Sequence, residues 1–527
     1  MSADGGGTAE AIARAGTLTV GELLTDVARR VPERTALDDG ARSLRFAELE
    51  ARSNRLAHAL AALGVGRGDR VAILSENRLE YVEATFAAAK LGAILCALNW
   101  RLARAELAHC VGLVGPKAVL RSPRFDDAWA ALGEVPAVVV AFGEPYERML
   151  AHASSAPPPV VARPEDGLLI LYTSGTTGLP KGALISHRAE LARMDSSRID
   201  FGLREGDGFV AWAPMFHMVS LEHALHTLAL GGTVHVVDGA DVPRIVELVR
   251  RVRQWWLVLI PGMIEPLIEA LRAEPVEPAG LGLVGALADL VPPQTLAEVS
   301  RRLRAPYLNT FGSTETGMLP CAGGRFPPGE APRSMAKTHN SLYRWRLVDA
   351  EDRDVPRGTP GEIALRGPTI FSGYWAAEAV NAEAFRGGWF HMGDMFVEDE
   401  AGRLDFVDRA KYLIKSGGEN IYPMEIERVL MADPRVAEAV VVRRRDRRWG
   451  EVPVAFVARN DPTLDADTLL QACRAGLSSY KLPREIRFVA SQDDFPRSTS
   501  GKVQRQAIEK WLDEPAEPGA STGASPR

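Results

Sequence analysis

Residues 168–182 read LLILYTSGTTGLPKG. The first four, 168–171, are an unbroken apolar run of the kind a strand buried on both faces needs. The next eleven, 172–182, hold four Ser/Thr hydroxyls, three glycines and a lysine. Backbone N–H groups approach an oxyanion closely only where side chains are absent. Gly175, Gly178 and Gly182 therefore make room, Thr173, Ser174, Thr176 and Thr177 add hydroxyl donors, and Lys181 adds charge. A strand running straight into such a loop puts it at the strand's carboxyl end, where ligands of open α/β sheets collect. The stretch is not a Walker A loop, because Lys181 is preceded by Pro180 and followed by Gly182. Composition alone leaves two readings open, a phosphate cradle and an ordinary solvated turn.

Outward from this loop, helical and strand patterns alternate. Phe46, Leu49, Leu56, Leu60 and Leu63 recur near a 3.6-residue period, Gly64 is placed to cap that helix, and residues 71–74 read as a buried strand. A helix over residues 81–91 leads through Gly92 into a strand at 93–98. Repeated alternation of this kind predicts an α/β protein with mainly parallel sheets covered by helices. From Gly361 the pattern changes to short strands and Gly-rich turns (362–366, 404–407), a small β-rich subdomain. Beyond residue 409 it becomes α+β, with strands predicted at 440–442, 452–457 and 486–489. Residues 1–15 and 514–527 are rich in Gly, Ala, Ser and Pro and are expected to be disordered.

At 527 residues the chain is too long for one ordinary core, so two or more domains are expected. Lys and Arg number 62 against 68 Asp and Glu, a net charge of −6, which gives no electrostatic reason to expect nucleic-acid binding. The arginine-rich run at 443–448 reads as a solvated patch or as a contact for the phosphates of a ligand. Four cysteines, Cys96, Cys110, Cys321 and Cys473, lack metal-ligand spacing and suit a reducing cytosol. The N-terminus has no basic and apolar leader, and the longest apolar run, around residues 255–263, falls well short of the about 18 residues needed to span a bilayer. A cytoplasmic protein without integral membrane association is expected.

The loop at 172–182 strongly resembles the phosphate loop of the adenylate-forming, AMP-binding superfamily. Further motifs follow in that family's order: PMFH (214–217), FGSTE (311–315), GEIALRGPTIFSGYW (361–375), WFHMGD (389–394), DRAK (408–411), SGGENIYPMEIE (416–427) and PRSTSGKVQR (496–505). The resemblance implies a large N-terminal adenylation domain, placed at 16–409, and a small mobile C-terminal domain at 410–513. It also implies ATP, Mg²⁺ and CoA as the small molecules handled together with a carboxylic acid. SGGENIYPMEIE is closer in form to CoA ligases than to peptide-synthetase modules.

Carried over residue by residue, the resemblance assigns nucleotide contacts to Thr173, Ser174, Gly175, Thr176, Thr177, Gly178 and Lys181, and to Phe311, Gly312 and Thr314. Glu315 becomes the Mg²⁺ carboxylate; on sequence alone a Glu after Ser-Thr reads rather as a helix cap. Phe311 stands where tyrosine commonly stacks on adenine, keeping the ring and losing the hydroxyl. Asp394 matches a ribose-binding aspartate and Arg409 a ribose or phosphate contact, while Met392 replaces the usual threonine. Lys502 matches a lysine that bridges carboxylate and α-phosphate during adenylation, and Lys411 a hinge. Gly417, Gly418 and Glu419 resemble the loop lining the CoA pantetheine tunnel, with Trp449 and Lys481 at positions that touch CoA in some relatives. His217 matches a gate between acyl pocket and thiol tunnel. Lys502, Glu315, Thr177 and His217 are thus the catalytic candidates.

Residues around 211–225, 255–263, 284–290 and 310–318, mostly apolar, are expected to line the acyl pocket. Residues 284–293 (VGALADLVPP) and 334–343 depart from the family's usual forms there. His217, Glu222, His223 and His226 have a spacing that a metal site could use, without further ligand pattern to support one. The leading expectation is an acyl- or aryl-CoA synthetase; loading of a separate carrier protein, and a catalytically silent nucleotide-binding regulator, are the rivals.

Overall fold

The apolar run at 168–171 lies in strand Gly167–Thr173, where Leu168, Leu169, Ile170 and Leu171 are all buried. It pairs in parallel with Ile94–Ala97 and antiparallel with Lys181–Ser186. These strands end a six-stranded sheet whose remaining members, Arg70–Leu74, Ala118–Arg121 and Val138–Ala141, run parallel. A computed structural model of the chain describes residues 5–173, 179–416, 419–497, 503–513 and 521–522. Two compact units are present, Met1–Trp345 with Leu365–Phe390, and Arg346–Ala364 with His391–Arg527.

The first unit also holds an eight-stranded sheet, ordered Gly317–Phe326, Tyr307–Ser313, Leu281–Val284, Gln254–Leu257, Gly208–Ala211, Val234–Val236, Thr35–Asp38 and Ser43–Arg45. Its interior pairs are parallel and both edge pairs antiparallel. Helices cover the sheets as the alternating pattern requires. The periodic segment at 46–63 forms helix Phe46–Ala62, and Gly64, at φ 83°, takes the left-handed conformation just past its end. Helix Leu79–Leu91 is closed by Gly92, also left-handed, which feeds the next strand.

In the second unit, strands Arg344–Val348, Gly361–Arg366, Phe390–Glu398 and Leu404–Arg409 make a four-stranded sheet. The stretches 346–364 and 391–409 thus group with the C-terminal part of the chain. There the long hairpin Val436–Asp446/Gly450–Arg459 extends through a parallel partner, Glu485–Val489, and packs on helices Pro423–Met431 and Ala466–Gly476 around Ile426, Leu430, Val441, Val457 and Leu469.

The chain's start differs from its expected disorder. Gly5–Ala15 is helical, because alternate residues from Ala9 to Ala15 are alanine, the strongest helix former, with Glu10 and Arg14 also favourable. At the other end, Ser521–Thr522 pairs antiparallel with Glu485 and Ile486, while 514–520 and 523–527 lie outside the described residues. All four cysteines are buried. Among the described residues, no helix is long and apolar enough to cross a membrane.

Candidate active site

Thr173 and Lys181 face each other across the last rungs of the antiparallel pair Gly167–Thr173/Lys181–Ser186. The strands on either side of the glycine- and hydroxyl-rich stretch are therefore paired up to Thr173 and Lys181; Ser174, Gly175, Thr176, Thr177 and Gly178 lie outside the described residues. Gly182 packs so tightly behind the loop that a Cβ would sit 2.9 Å from Ile170 Cγ2.

Phe311 and Gly312 end strand Tyr307–Ser313, and Thr314 and Glu315 form the turn into Gly317–Phe326. That turn leaves no space for a side chain at Gly312, where a Cβ would fall 2.3 Å from the Gly317 carbonyl oxygen. The Glu315 carbonyl accepts from the Phe371 N–H at 2.9 Å. One oxygen of its carboxylate accepts from the Tyr374 hydroxyl at 2.8 Å. The Lys181 ammonium lies 4.8 Å from the centroid of the same tyrosine ring. Lys181 and Glu315, 134 positions apart in sequence, are thereby brought to the two sides of one side chain.

Arg193, buried, holds the Glu315 turn from below. Its guanidinium donates to the Thr314 carbonyl and to the Thr369 carbonyl, both at 3.1 Å, and to Glu222 Oε1 at 2.6 Å. Beside it His226 contacts Ser197 Oγ at 2.8 Å and Glu190 Oε1 at 3.1 Å. Burial pushes His226 down to about 3, so the ring is neutral, and pushes the Glu190 and Glu222 carboxyls up against the pull of Arg193. His223 is turned to the Val219 carbonyl at 2.8 Å. These histidines are core members and do not join His217, which is exposed and caps helix Met218–Ala229 by accepting from the Val219 N–H.

The PMFH turn is fixed by a residue the motifs do not mark. Asn77 Oδ1 accepts from the Met215 N–H at 2.7 Å, and its Nδ2 donates to the Ala213 carbonyl at 2.8 Å and the Val237 carbonyl at 2.9 Å. Nearby, the two atypical segments are joined to each other. Lys337, fully buried, meets Asp289 at 2.5 Å and donates to Asn309 Oδ1 at 3.0 Å. The loop bearing Asp289 is further strapped by Tyr307 to the Ala286 carbonyl, Trp256 to the Gly285 carbonyl and the Leu287 N–H to Thr310.

In the second unit, Asp394 and Arg409 are direct cross-strand partners, with an ion pair of 3.0 Å and Asp394 almost wholly buried. The neighbouring Asp408 accepts from the Arg409 and Met424 N–H groups; burial pushes its carboxyl up to about 6. Lys411 sits in the short turn Ala410–Tyr412 that connects two strands, and burial together with Arg409 lowers its ammonium below the usual lysine range. Ser416 and Glu419 are opposed in register; Gly417 and Gly418 lie outside the described residues. Ser416 also pairs with Gly450, next to Trp449, while Lys481 forms an ion pair with Glu425 at 2.8 Å. Lys502 lies outside the described residues; Arg497 and Val503 form an antiparallel bridge with each other.

The sequence matches the AMP-binding enzyme family over residues 24–375, and the C-terminal domain of the same enzymes over 425–502. The chain belongs to the AMP-binding enzyme family. Among members of this family, it is 37% identical over 500 residues to the indoleacetate–CoA ligase of Aromatoleum aromaticum, covering 91% of this chain and 96% of that one. It is 33% identical over 495 residues to a fatty acid–[acyl-carrier-protein] ligase of Streptomyces coeruleorubidus, covering 91% and 94%. The fold superposes on the o-succinylbenzoate CoA synthetase of Bacillus subtilis, solved with its acyl-adenylate intermediate, at a TM-score of 0.80 and 27% identity, over 94% of this chain and 98% of that one. The family's fold, a large N-terminal domain of helix-covered sheets and a small C-terminal one, is the fold described above.

Family motifs alone do not reveal Arg193 or Asn77, because each acts on backbone groups far away in sequence. Tyr374 was within reach, being the last polar residue of GPTIFSGYW, but nothing in the pattern says that it meets both Lys181 and Glu315.

Proposed function

We propose that this chain is an ATP-dependent acyl-CoA synthetase. It joins a carboxylic acid to the α-phosphate of ATP, releasing pyrophosphate, and then passes the acyl group from acyl-AMP to the thiol of CoA, releasing AMP. The observation that carries the reading is the convergence of Lys181, which follows the glycine-rich stretch in sequence, and Glu315 on Tyr374. Two anions must be brought together in this reaction, so cations and dense donors belong where the phosphates sit.

In this reading the loop hydroxyls and N–H groups, Thr177 among them, hold the β- and γ-phosphates, with Lys181 neutralising charge. Phe311, Gly312 and Thr314 border the adenine, and Asp394 with Arg409 takes the ribose. Glu315 offers the oxygen donor that Mg²⁺ takes, and the ion when bound neutralises the triphosphate. Lys502 meets charge developing between carboxylate and α-phosphate, a contribution of roughly 10²- to 10³-fold in rate. Lys411 is the hinge about which the small domain turns between half-reactions. Gly417, Gly418 and Glu419, with Trp449 and Lys481, then border CoA, and His217 gates the acyl pocket. The thioester step asks for no protein nucleophile, since the CoA sulfur attacks the acyl carbonyl and AMP leaves.

Buried apolar side chains such as Trp212, Phe216, Met263 and Val284 in the segments assigned to the acyl pocket support a fatty or aromatic monocarboxylate as substrate. The aromatic class is favoured by similarity to the indoleacetate ligase. Four buried thiols and the absence, among the described residues, of a membrane-spanning helix support a cytoplasmic enzyme. The deciding experiment is ATP-dependent pyrophosphate release over fatty, aryl and dicarboxylic acids, with and without CoA, with mass spectrometry of products. Acyl-CoA from one acid class is the expected result. Acyl-AMP that moves only to a phosphopantetheinylated protein would replace CoA by a carrier, and ATP binding without turnover of any acid would mark a silent regulator.

A further inference from the structure

Tyr374 is held more firmly than a packing residue requires. The Asn381 side chain clasps its backbone on both sides, accepting from the Tyr374 N–H at 2.7 Å and donating to its carbonyl at 2.8 Å. Its backbone bridges to Ala183, and on either side the Ser372 N–H donates to the Leu184 carbonyl and the Trp375 N–H to the Gly182 carbonyl. The segment is thus stitched to the strand that leaves the phosphate loop. At the other end, the Phe371 N–H holds the Glu315 carbonyl and the Phe371 ring packs edge-on against Tyr374 at 4.9 Å. A single strut therefore spans from the phosphate-loop strand to the Glu315 turn, and Tyr374 is the side chain in its middle.

We propose that Tyr374 is a positioning residue that sets Glu315 through its hydroxyl and Lys181 through its ring face, so that both are aimed at the triphosphate before the nucleotide arrives. The inference rests on the reading of Glu315 as the Mg²⁺ carboxylate and Lys181 as a phosphate cation. A phenol donating to a carboxylate fixes the rotamer of a side chain that would otherwise sample several, and the hydrogen bond to a charged acceptor is of the stronger kind. An ammonium over an aromatic face is attracted without being neutralised, so Lys181 keeps its charge for phosphate. The two contacts use different parts of one residue and are separable by substitution.

The test is direct binding of ATP to the purified protein, without acid or CoA, measured by calorimetry across a Mg²⁺ titration and again in chelator. Tyr374→Phe keeps the ring and removes the hydroxyl. It is expected to raise the Mg²⁺ concentration that half-saturates the tightening of ATP binding by about 5- to 20-fold, leaving Mg²⁺-free affinity within about twofold. Tyr374→Leu is expected in addition to weaken Mg²⁺-free ATP binding by about 2- to 5-fold. Glu315→Gln serves as the reference and raises the Mg²⁺ requirement at least as far, and adding Tyr374→Phe to it gives no further rise. If Glu315→Gln raises the requirement and Tyr374→Phe does not, the tyrosine does not position the carboxylate and the metal reading of Glu315 stands. If Tyr374→Phe weakens binding equally with and without Mg²⁺, its role is general packing and the proposal is overturned. A Glu315→Gln protein with wild-type Mg²⁺ dependence overturns the metal reading and the proposal with it.

Discussion

Lys337 and Asp289 lie in the two segments, 334–343 and 284–293, that depart from the family's usual forms, and the structure makes them one unit. Each carries a charge into the interior, and a buried ion pair holds only while both partners and their hydrogen bonds are in place. Lys337→Met removes the ammonium, taking its cation from the Asp289 carboxylate and its donor from the Asn309 side-chain oxygen and the Met335 carbonyl, at a cost of about 3–5 kcal/mol in urea unfolding. The double variant Asp289→Leu/Lys337→Met is expected to recover most of that loss while altering KM for the acid, because the loop strapped to Tyr307, Trp256 and Thr310 borders the assigned acyl pocket. Full recovery of stability with an unchanged acid profile would separate this loop from substrate choice. The departure of both segments from family form was readable in sequence. Their physical connection was not, since 48 positions separate the two residues and neither lies on a periodic face.

At the scale of elements, the turn that carries PMFH depends on helix-proximal Asn77 more than on its own residues. Asn77→Ala strands the Met215 N–H and the Ala213 and Val237 carbonyls in a buried setting, with about 2–4 kcal/mol expected from the hydrogen bonds lost. A lowered unfolding midpoint together with slower pyrophosphate release would tie this anchor to the site; a lowered midpoint alone would limit it to the fold. Strands and helices with strong periodicity were legible: 46–63, 81–91, 168–171 and 452–457 all lie in elements of the expected type. Boundaries moved by a few residues, as for Val436–Asp446, which extends well beyond the predicted 440–442 because its hairpin partner supplies backbone hydrogen bonds that composition does not advertise. The helix at Gly5–Ala15 escaped notice for the opposite reason, its small residues resembling a tail. The site was legible as a set of motifs, and what was missing was the joinery: Arg193, Asn77 and Tyr374 act through contacts between segments remote in sequence.

For the whole molecule, the two half-reactions give the sharpest expectation. Lys502→Ala is expected to slow adenylation by about 10²- to 10³-fold and to leave thioester formation from supplied acyl-AMP much less affected; equal loss in both would remove Lys502 from its assigned role. A pH effect follows from Asp408. Its carboxyl titrates higher in the folded protein, at about 6, than the ordinary 3.8, so the folded state binds the extra proton and this group's contribution to stability falls as pH rises from about 4 to about 6. Relative to Asp408→Asn, the wild type should lose up to about 3 kcal/mol across that window in urea unfolding, and a difference independent of pH would contradict it. One further property comes from the four enclosed cysteines. Burial raises every thiol, Cys110 and Cys321 to about 12 and Cys473 to about 11, with Cys96 also pushed up, so almost no thiolate is present near neutrality. Maleimide dyes therefore meet a silent background. Single handles placed at exposed sites, Glu134→Cys in the first unit and Thr468→Cys in the second, would take label selectively, and fluorescence transfer between them could follow the catalytic cycle without first stripping out any native sulfur.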